Sequence, residues 1–466
     1  MRIGVLPLAR PTFDVPFAEA QAAAAFAALD ATGHDLVGPR GLLFDAAATR
    51  EALAALKGEA LDRVLVLQVT FTDASMTCVI AEELTAPLLL WAVPEPRAGG
   101  RLRLNAFCGL NLAAHALKLR GKDFGWLYAA PDSPGLDESL ALLVSGGLAA
   151  EGRGVEDRPD ATFVDAKAVA GVLKRLGNAR IGVVGEHPLG FDTCAYDPDA
   201  MARLCGASAE RIELPALFDR ARAADPGRIA AVRAETATRL GGLDAVDQEQ
   251  LDRSLRVFAG LSDLAREKSL DALAVRCWPE MFTEYGCAAC GPMAMMNGAK
   301  VPAACEADVY GALSALVLQE LAGEPSLLVD LVDLDPASDT GVVWHCGLAP
   351  LTMADPSTPP RATIHSNRRM PLLHEFALKP GRITAARFTQ AQGRPRLMIA
   401  GATMLQAPMS FTGTSGVLRF DADAGTVAER IMGEGLEHHF AFAYGEWRPQ
   451  LRAVAGALGL PVLEIA

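Results

Sequence analysis

Residues 63–93 read RVLVLQVTFTDASMTCVIAEELTAPLLLWAV. The first seven are an almost unbroken Val- and Leu-rich run, the pattern of a strand buried on both faces. A short polar link follows, residues 74–84 read as an amphipathic helix, and a second apolar run occupies 87–93. Strand, helix and strand within about 30 residues make a βαβ unit, whose strands run parallel because the helix carries the chain back across the sheet. Outward from this unit the alternation recurs, with strands expected at 2–8 and 124–129 and helices at 17–31, 46–57 and 109–119. The first third therefore reads as an open parallel sheet with helices on both faces.

A polar, proline-bearing stretch at 151–161 interrupts the pattern, as a domain boundary does. Strands then resume at 180–185 (RIGVVG), 272–277 and 301–305, with helices at 247–268 and 308–321. Beyond residue 322 the strands are short, at 341–346, 382–388, 396–400 and 416–420, and are divided by Pro, Gly and Asp turns, as in an antiparallel barrel or sandwich. A helix at 448–458 and a last strand close the chain. The expected fold class is α/β: two Rossmann-like open α/β domains, 1–160 and 161–322, followed by a β-rich, barrel-like domain, 323–466.

Composition narrows the function. The 466 residues are 51% hydrophobic, ample for several cores, and 43 Lys and Arg against 56 Asp and Glu leave a net charge of −13. That balance disfavours nucleic acid or anionic membrane as a partner. The amino terminus, MRIGVLPLAR, passes into a strand-like pattern without the apolar core of a signal peptide, and no run approaches the ~18 apolar residues of a membrane span. Nine cysteines, an odd number, read as reduced thiols rather than a disulfide framework. A soluble cytoplasmic enzyme is expected.

The segment GVVGEHPLG at 182–190 follows a strand but lacks G-x-G-x-x-G spacing, and no G-x-x-x-x-G-K-[ST] occurs, so neither NAD nor a nucleotide phosphate has a cradle. The richest chemistry lies in 276–347. Glu306 ends the apolar run 301–305 directly before a helix that Asp308 can cap, and Asp330 ends the run 326–329. A carboxylate at such a place is costly to desolvate unless a cation or several donors meet it. Two of them, completed by a distant imidazole, would make a hard-cation site with open positions. The competing reading is a helix cap for Glu306 and a turn for Asp330, and the pattern alone does not decide between them.

CEADVYGALSALVLQELAGEPSLLVD at 305–330 resembles the metal-binding segment of the L-fucose isomerase family, within the L-fucose and L-arabinose isomerase superfamily: Glu306, Asp308, Gly323 and Asp330 stand in its E-x-D, Gly and strand-end Asp places. HHFAFAYGEWRPQLRAVAGALGLPV at 438–462 resembles the carboxyl-terminal segment that carries the family's third ligand, which falls on His439 with His438 one place away. The segments LARPTFD, VTFTDAS and GEHPLGFD, and the shorter chain, look like a divergent subgroup. The resemblance implies an aldose–ketose isomerase with Mn²⁺ (or Mg²⁺) on Glu306, Asp330 and His439, and it gives Glu306 and Asp330 the acid and base roles. It also implies a homo-oligomer with sites at subunit interfaces, Arg10 reaching a neighbouring subunit's site, and Phe71 against the sugar. The chemistry is coherent: the ene-diol route moves a proton between C1 and C2, two carboxylates can serve as base and acid, and a divalent cation stabilises the developing charge.

Other candidates come from strand ends. Glu186 and His187, Trp278 with Glu280, and Gln68, Thr70 and Asp73 all follow strands at crevice positions and are read as substrate contacts or as turn residues. His345 in VVWHCG is a substrate donor, a further ligand or a satisfied core residue, and His365 in TIHSNRR is a weaker candidate of the same kind. Arg97, Arg101 and Arg103 suggest an acid-substituted sugar, or a solvated loop. Cys287 and Cys290 form a C-x-x-C, but Cys305 has no close pair to complete a zinc ribbon. A sugar-binding protein of the same fold and a sugar epimerase stand as the alternatives to an isomerase.

Overall fold

A computed structural model of the chain describes residues 1–152, 154–157 and 166–466. The fold is mixed α/β, with parallel sheets and a large mixed sheet towards the carboxyl terminus. Strands β1 (Arg2–Leu8), β2 (Asp35–Val37), β3 (Arg63–Gln68), β4 (Leu88–Ala92) and β5 (Phe124–Tyr128) pair in parallel in the order β2-β1-β3-β4-β5. The helices Val15–Ala31 and Ala46–Leu56 start where Asp14 and Asp45 accept the amides of Phe17 and Ala48, freed at the helix ends. Strand order reverses between β1 and β3, so the turns leaving them diverge and open a crevice at their carboxyl ends. Arg10 and Phe71 emerge there.

The stretch expected as a boundary is in part a strand. Val155–Asp157 (β6) pairs antiparallel with Val462–Glu464 at the edge of the large sheet, while residues 153 and 158–161 of that stretch lie outside the described residues. A second parallel sheet holds β7 (Arg180–Val184), β8 (Ser208–Ile212), β9 (Ala272–Val275) and β10 (Ala303–Ala304) in the order β10-β9-β7-β8. The strand expected at 301–305 keeps only two paired residues, because Cys305–Ala307 wind into a 3₁₀ turn in which Glu306 has φ 59°. Asp308 ends that turn and caps the helix Val309–Ala322, its Oδ1 accepting the Gly311 amide at 2.8 Å.

The remaining strands are β11 (Leu327–Asp335), β12 (Thr340–His345), β13 (Arg361–Thr363), β14 (Leu373–Ala377), β15 (Gly381–Thr389), β16 (Arg396–Met404), β17 (Thr414–Phe420), β18 (His439–Tyr444) and β19 (Val462–Glu464). With β6 they form a ten-stranded mixed sheet, and the β16–β17 pairing closes β17-β12-β11-β18-β15-β16 into an antiparallel ring. Closure leaves those strands no open edge. Asp330 is not at the end of its strand, as its place after an apolar run suggested. It sits inside β11, opposite Trp344 of β12 and His439 of β18, because β11 continues through the second apolar half LVDLD. One buried apolar cluster includes Val66 of β3, Val183 of β7 and Phe442 of β18, so both parallel sheets and the ring share a core. Among the described residues no helix is long and apolar enough to cross a membrane.

Candidate active site

Three neighbouring pieces of chain deliver the carboxylates and imidazoles: the turn after β10 brings Glu306, the middle of β11 brings Asp330, and the start of β18 brings His438 and His439. His439 Nε2 lies 3.3 Å from Asp330 Oδ1 and 3.9 Å from Glu306 Oε2, and His438 Nε2 lies 3.0 Å from Glu306 Oε2. Glu306 and Ala307 both hold left-handed backbone, φ 59° and 53°, which costs a non-glycine residue about 1–2 kcal/mol. The Asp308 cap immediately after them pins the turn. Asp308, 1% exposed, accepts Arg387 Nη1 at 2.7 Å and His439 Nδ1 at 3.0 Å, and Arg387 also faces Glu437 at 3.4 Å.

These bonds set the tautomers. His439 donates Nδ1–H to Asp308, so its Nε2 lone pair points at Asp330 and Glu306, the carboxylate–histidine arrangement that prepares an imidazole for a metal. The His438–Glu306 contact requires the proton on Nε2, which makes His438 a donor to Glu306 and leaves its buried Nδ1 without a partner among the described residues. His345 Nδ1 accepts the Cys346 amide at 2.9 Å, so Nε2 carries the hydrogen and is an unpartnered buried donor. Burial holds His345 neutral, its pKa pushed down to about 3.

The carboxylates differ in the same terms. Burial opposes the charge of Glu306, but the His438 bond and the two imidazoles outweigh it and bring its carboxyl to about 2. Burial lifts Asp330 to about 7, with His439 opposing and Glu306 adding to the rise, and its Oδ1 has no hydrogen bond among the described residues. A buried carboxylate oxygen without a donor, 3.3 Å from an imidazole lone pair, is a place suited to a cation. Among the described residues, each group of side chains able to share an ion includes Glu306 or Asp330, and none includes Cys287 or Cys290. All nine cysteines are free thiols. Asp330, His345 and His439 form one group able to share an ion, with donors that suit a hard divalent ion, while Glu306 stands with His438, His439 and Cys194 in another.

This cluster floors a cavity of about 90 Å³ that opens to solvent. Its walls carry Trp278, whose Nε1 donates to Glu306 Oε1 at 3.1 Å, together with Phe71, Arg10 and Arg368. Both guanidinium carbons stand 5.1 Å from the Trp278 ring, and Phe191 joins Phe71 to Trp278 behind it.

Of the residues singled out in the sequence, Glu306, Asp330, His438, His439, Arg10, Phe71, Trp278, His345, His365, Cys290 and Cys305 line this one cavity. Asp73 does not line it, but holds Arg10 Nη2 at 2.5 Å. Glu186 and His187 do not line it: Glu186 is exposed and faces Arg211 at 3.6 Å, and the His187 carbonyl accepts Arg276. Glu280 is engaged by Arg276 at 2.6 and 2.7 Å. Gln68 donates to Thr72 Oγ1, and Thr70 accepts the Arg10 amide. Arg10 lines the cavity of its own chain. Arg97 pairs with Asp333 and Arg103 with Asp14, so both serve packing. Sequence reasoning missed Arg368 and Asn367. Nothing in TIHSNRR separates Arg368 from its exposed neighbour Arg369 before the loop is folded.

Comparison with known proteins gives the family. The family profile described as "Fucose/sulfoquinovose isomerase, N-terminal domain" matches residues 4–143. A protein of a Clostridium species named sulfoquinovose isomerase is 30% identical over 464 residues, 98% of each chain. The sulfoquinovose isomerases of Priestia megaterium and Alkalicoccus urumqiensis are 28% identical over 465 residues (98% of this chain, 97% of the relative) and 29% identical over 405 residues (87% and 86%). The chain belongs to the fucose/sulfoquinovose isomerase family and is an aldose–ketose isomerase, an intramolecular oxidoreductase.

Proposed function

We propose that this enzyme is a divalent-metal-dependent isomerase of sulfoquinovose, a glucose carrying a sulfonate on carbon 6, with Glu306 and Asp330 as its acid and base. The observation that supports the metal and the two carboxylates is His439 Nε2, whose lone pair lies 3.3 Å from the unpartnered Asp330 Oδ1 and 3.9 Å from Glu306 Oε2. The substrate follows the relatives that match along nearly their whole length. Glu306, Asp330 and His439 would hold Mn²⁺ or Mg²⁺, which when bound stabilises negative charge on the substrate's O1 and O2.

The chain's own groups supply the rest. One carboxylate takes the C2 proton of the open-chain aldose, O1 gains a proton, and the resulting ene-diol returns a proton to C1 while O2 loses one; no atom is gained or lost overall. Trp278 holds Glu306 by its indole N–H, and Asp308 fixes the His439 ring. His345 presents Nε2–H to a substrate oxygen, a preset donor of the kind that stabilises developing oxyanions. Nine free thiols suit a reducing, cytoplasmic setting.

The test is to load the protein with Mn²⁺ and follow sulfoquinovose in D₂O by NMR. The ketose should appear with deuterium at C1, and the recovered aldose should carry deuterium at C2. Glu306→Gln should slow conversion by about 10³-fold or more while leaving the far-UV spectrum unchanged. An inverted aldose without ketose would show epimerisation instead, and a metal-loaded protein that exchanges no proton with the sugar would overturn the proposal.

A further inference from the structure

Arg368 has an unusual position for a guanidinium. It is half-buried, lies over Trp278 and Phe282 at 5.1 Å each, and no carboxylate is bonded to it among the described residues. Burial and the charge of Arg10 both disfavour its cation, so the loop holding it works against its own electrostatics. That loop is nevertheless preset: the buried His365 Nδ1 accepts the amides of Asn367 and Arg368 at 3.2 and 3.3 Å. Arg101 donates to Asn367 Oδ1 at 2.8 Å, and Asn367, whose NH₂ remains a donor, lines the cavity. Arg10, the second guanidinium on Trp278, is neutralised by Asp73.

We propose that Arg368, supported by Arg10 and Asn367, forms the anion pole of the cavity and seats the sulfonate of the substrate, selecting a singly charged tetrahedral oxyanion at carbon 6. This rests on the sulfosugar isomerase reading above. Arg10 and Asp73 cancel, so the guanidinium pair carries about one net positive charge, matched to a sulfonate monoanion rather than a phosphate dianion. The reach also agrees. Trp278 touches Glu306 at 3.1 Å and both guanidiniums at 5.1 Å, so the carboxylate and the arginines stand no more than about 11 Å apart, a span that an extended six-carbon chain with its C6 substituent fills. A planar fork and an amide meet three sulfonate oxygens with directed donors.

The experiment compares kcat/KM of the Mn²⁺-loaded enzyme for sulfoquinovose, 6-deoxyglucose and glucose 6-phosphate in wild type, Arg368→Gln and Arg368→Lys. Wild type should favour sulfoquinovose over both others. Arg368→Gln should collapse the preference over 6-deoxyglucose by about 10²-fold, chiefly through KM, and Arg368→Lys, which keeps the charge without the fork, should fall between. 2-Hydroxyethanesulfonate, measured by calorimetry, should bind wild type at least about tenfold more tightly than Arg368→Gln. If the variant loses activity equally on charged and neutral sugars, Arg368 is structural and the proposal fails. Equal use of glucose 6-phosphate would make the pole a general anion site and overturn the sulfonate assignment. If wild type converts no sugar, the isomerase assignment fails instead, and the 2-hydroxyethanesulfonate comparison alone then decides the pole.

Discussion

Asp308→Asn conserves volume and removes one charge from the floor of the site. In the wild type the two Asp308 oxygens accept four bonds: the Gly311 amide, Arg387 Nη1 and Nη2, and His439 Nδ1. Asparagine keeps a single accepting oxygen and can still cap the helix, but its NH₂ must then face Arg387 or His439, both donors there. Arg387 is 2% exposed and keeps only Glu437 at 3.4 Å as an acidic partner. Breaking a buried pair costs about 3–5 kcal/mol, and the remaining Glu437 places the loss near the lower end, about 3 kcal/mol. For one cooperative transition of 466 residues the unfolding entropy is about 1 kcal/mol/K, so the metal-free protein should melt about 3 °C lower. If the NH₂ faces His439, the ring proton moves to Nε2 and the lone pair aimed at Asp330 is lost, which should weaken Mn²⁺ binding about 10–100-fold. Differential scanning calorimetry of chelated protein gives the first quantity, and competition with a chromophoric chelator gives the second. Unchanged melting together with unchanged affinity would refute the reasoning, and lower melting with unchanged affinity would show that Asp308 is a cap and ion-pair partner without control over His439.

Further outcomes follow from single contacts. His345→Phe keeps the ring volume but removes the only N–H that His345 directs into the cavity, and kcat should fall about 10²-fold with little change in melting temperature. Trp278→Phe keeps the aromatic wall but loses the donor to Glu306 at 3.1 Å; steady-state assays should show kcat about tenfold lower and a smaller change in KM. Cys287→Ala combined with Cys290→Ala should leave bound Mn²⁺ unchanged by atomic emission, since neither thiol belongs to a group able to share an ion, and a loss of metal would point to a thiolate site.

Much of the fold was legible because it rests on local periodicity. The apolar runs at 2–8 and 63–69 correspond to β1 and β3, and the helix expected at 448–458 is observed at Arg448–Leu458, with Pro449 in its first turn and Gly459, which adopts φ 67°, stopping it. Helices without a clean apolar stripe or set among charged residues, such as Leu214–Ala223 and Pro226–Ala237, went unread because few of their residues are buried, only Ile229 and Thr236 in the second, so periodicity has little to report.

By itself the sequence determined the residue types and their spacing: a carboxylate pair 24 positions apart, a cap at Asp308, tandem imidazoles and the succession of strands and helices. Only the tertiary structure decided their use. It placed Asp330 inside β11 opposite His439, assigned the ring protons of His345, His438 and His439 through partners more than 100 positions away or in the next amide, and turned Glu186 out to solvent. It also chose Arg368 over Arg369 as the guanidinium on Trp278. The physical reason is common to all of these. Burial, hydrogen-bond direction and the cost of an unpaired charge are properties of a surrounding volume, and that volume exists only after distant strands have met.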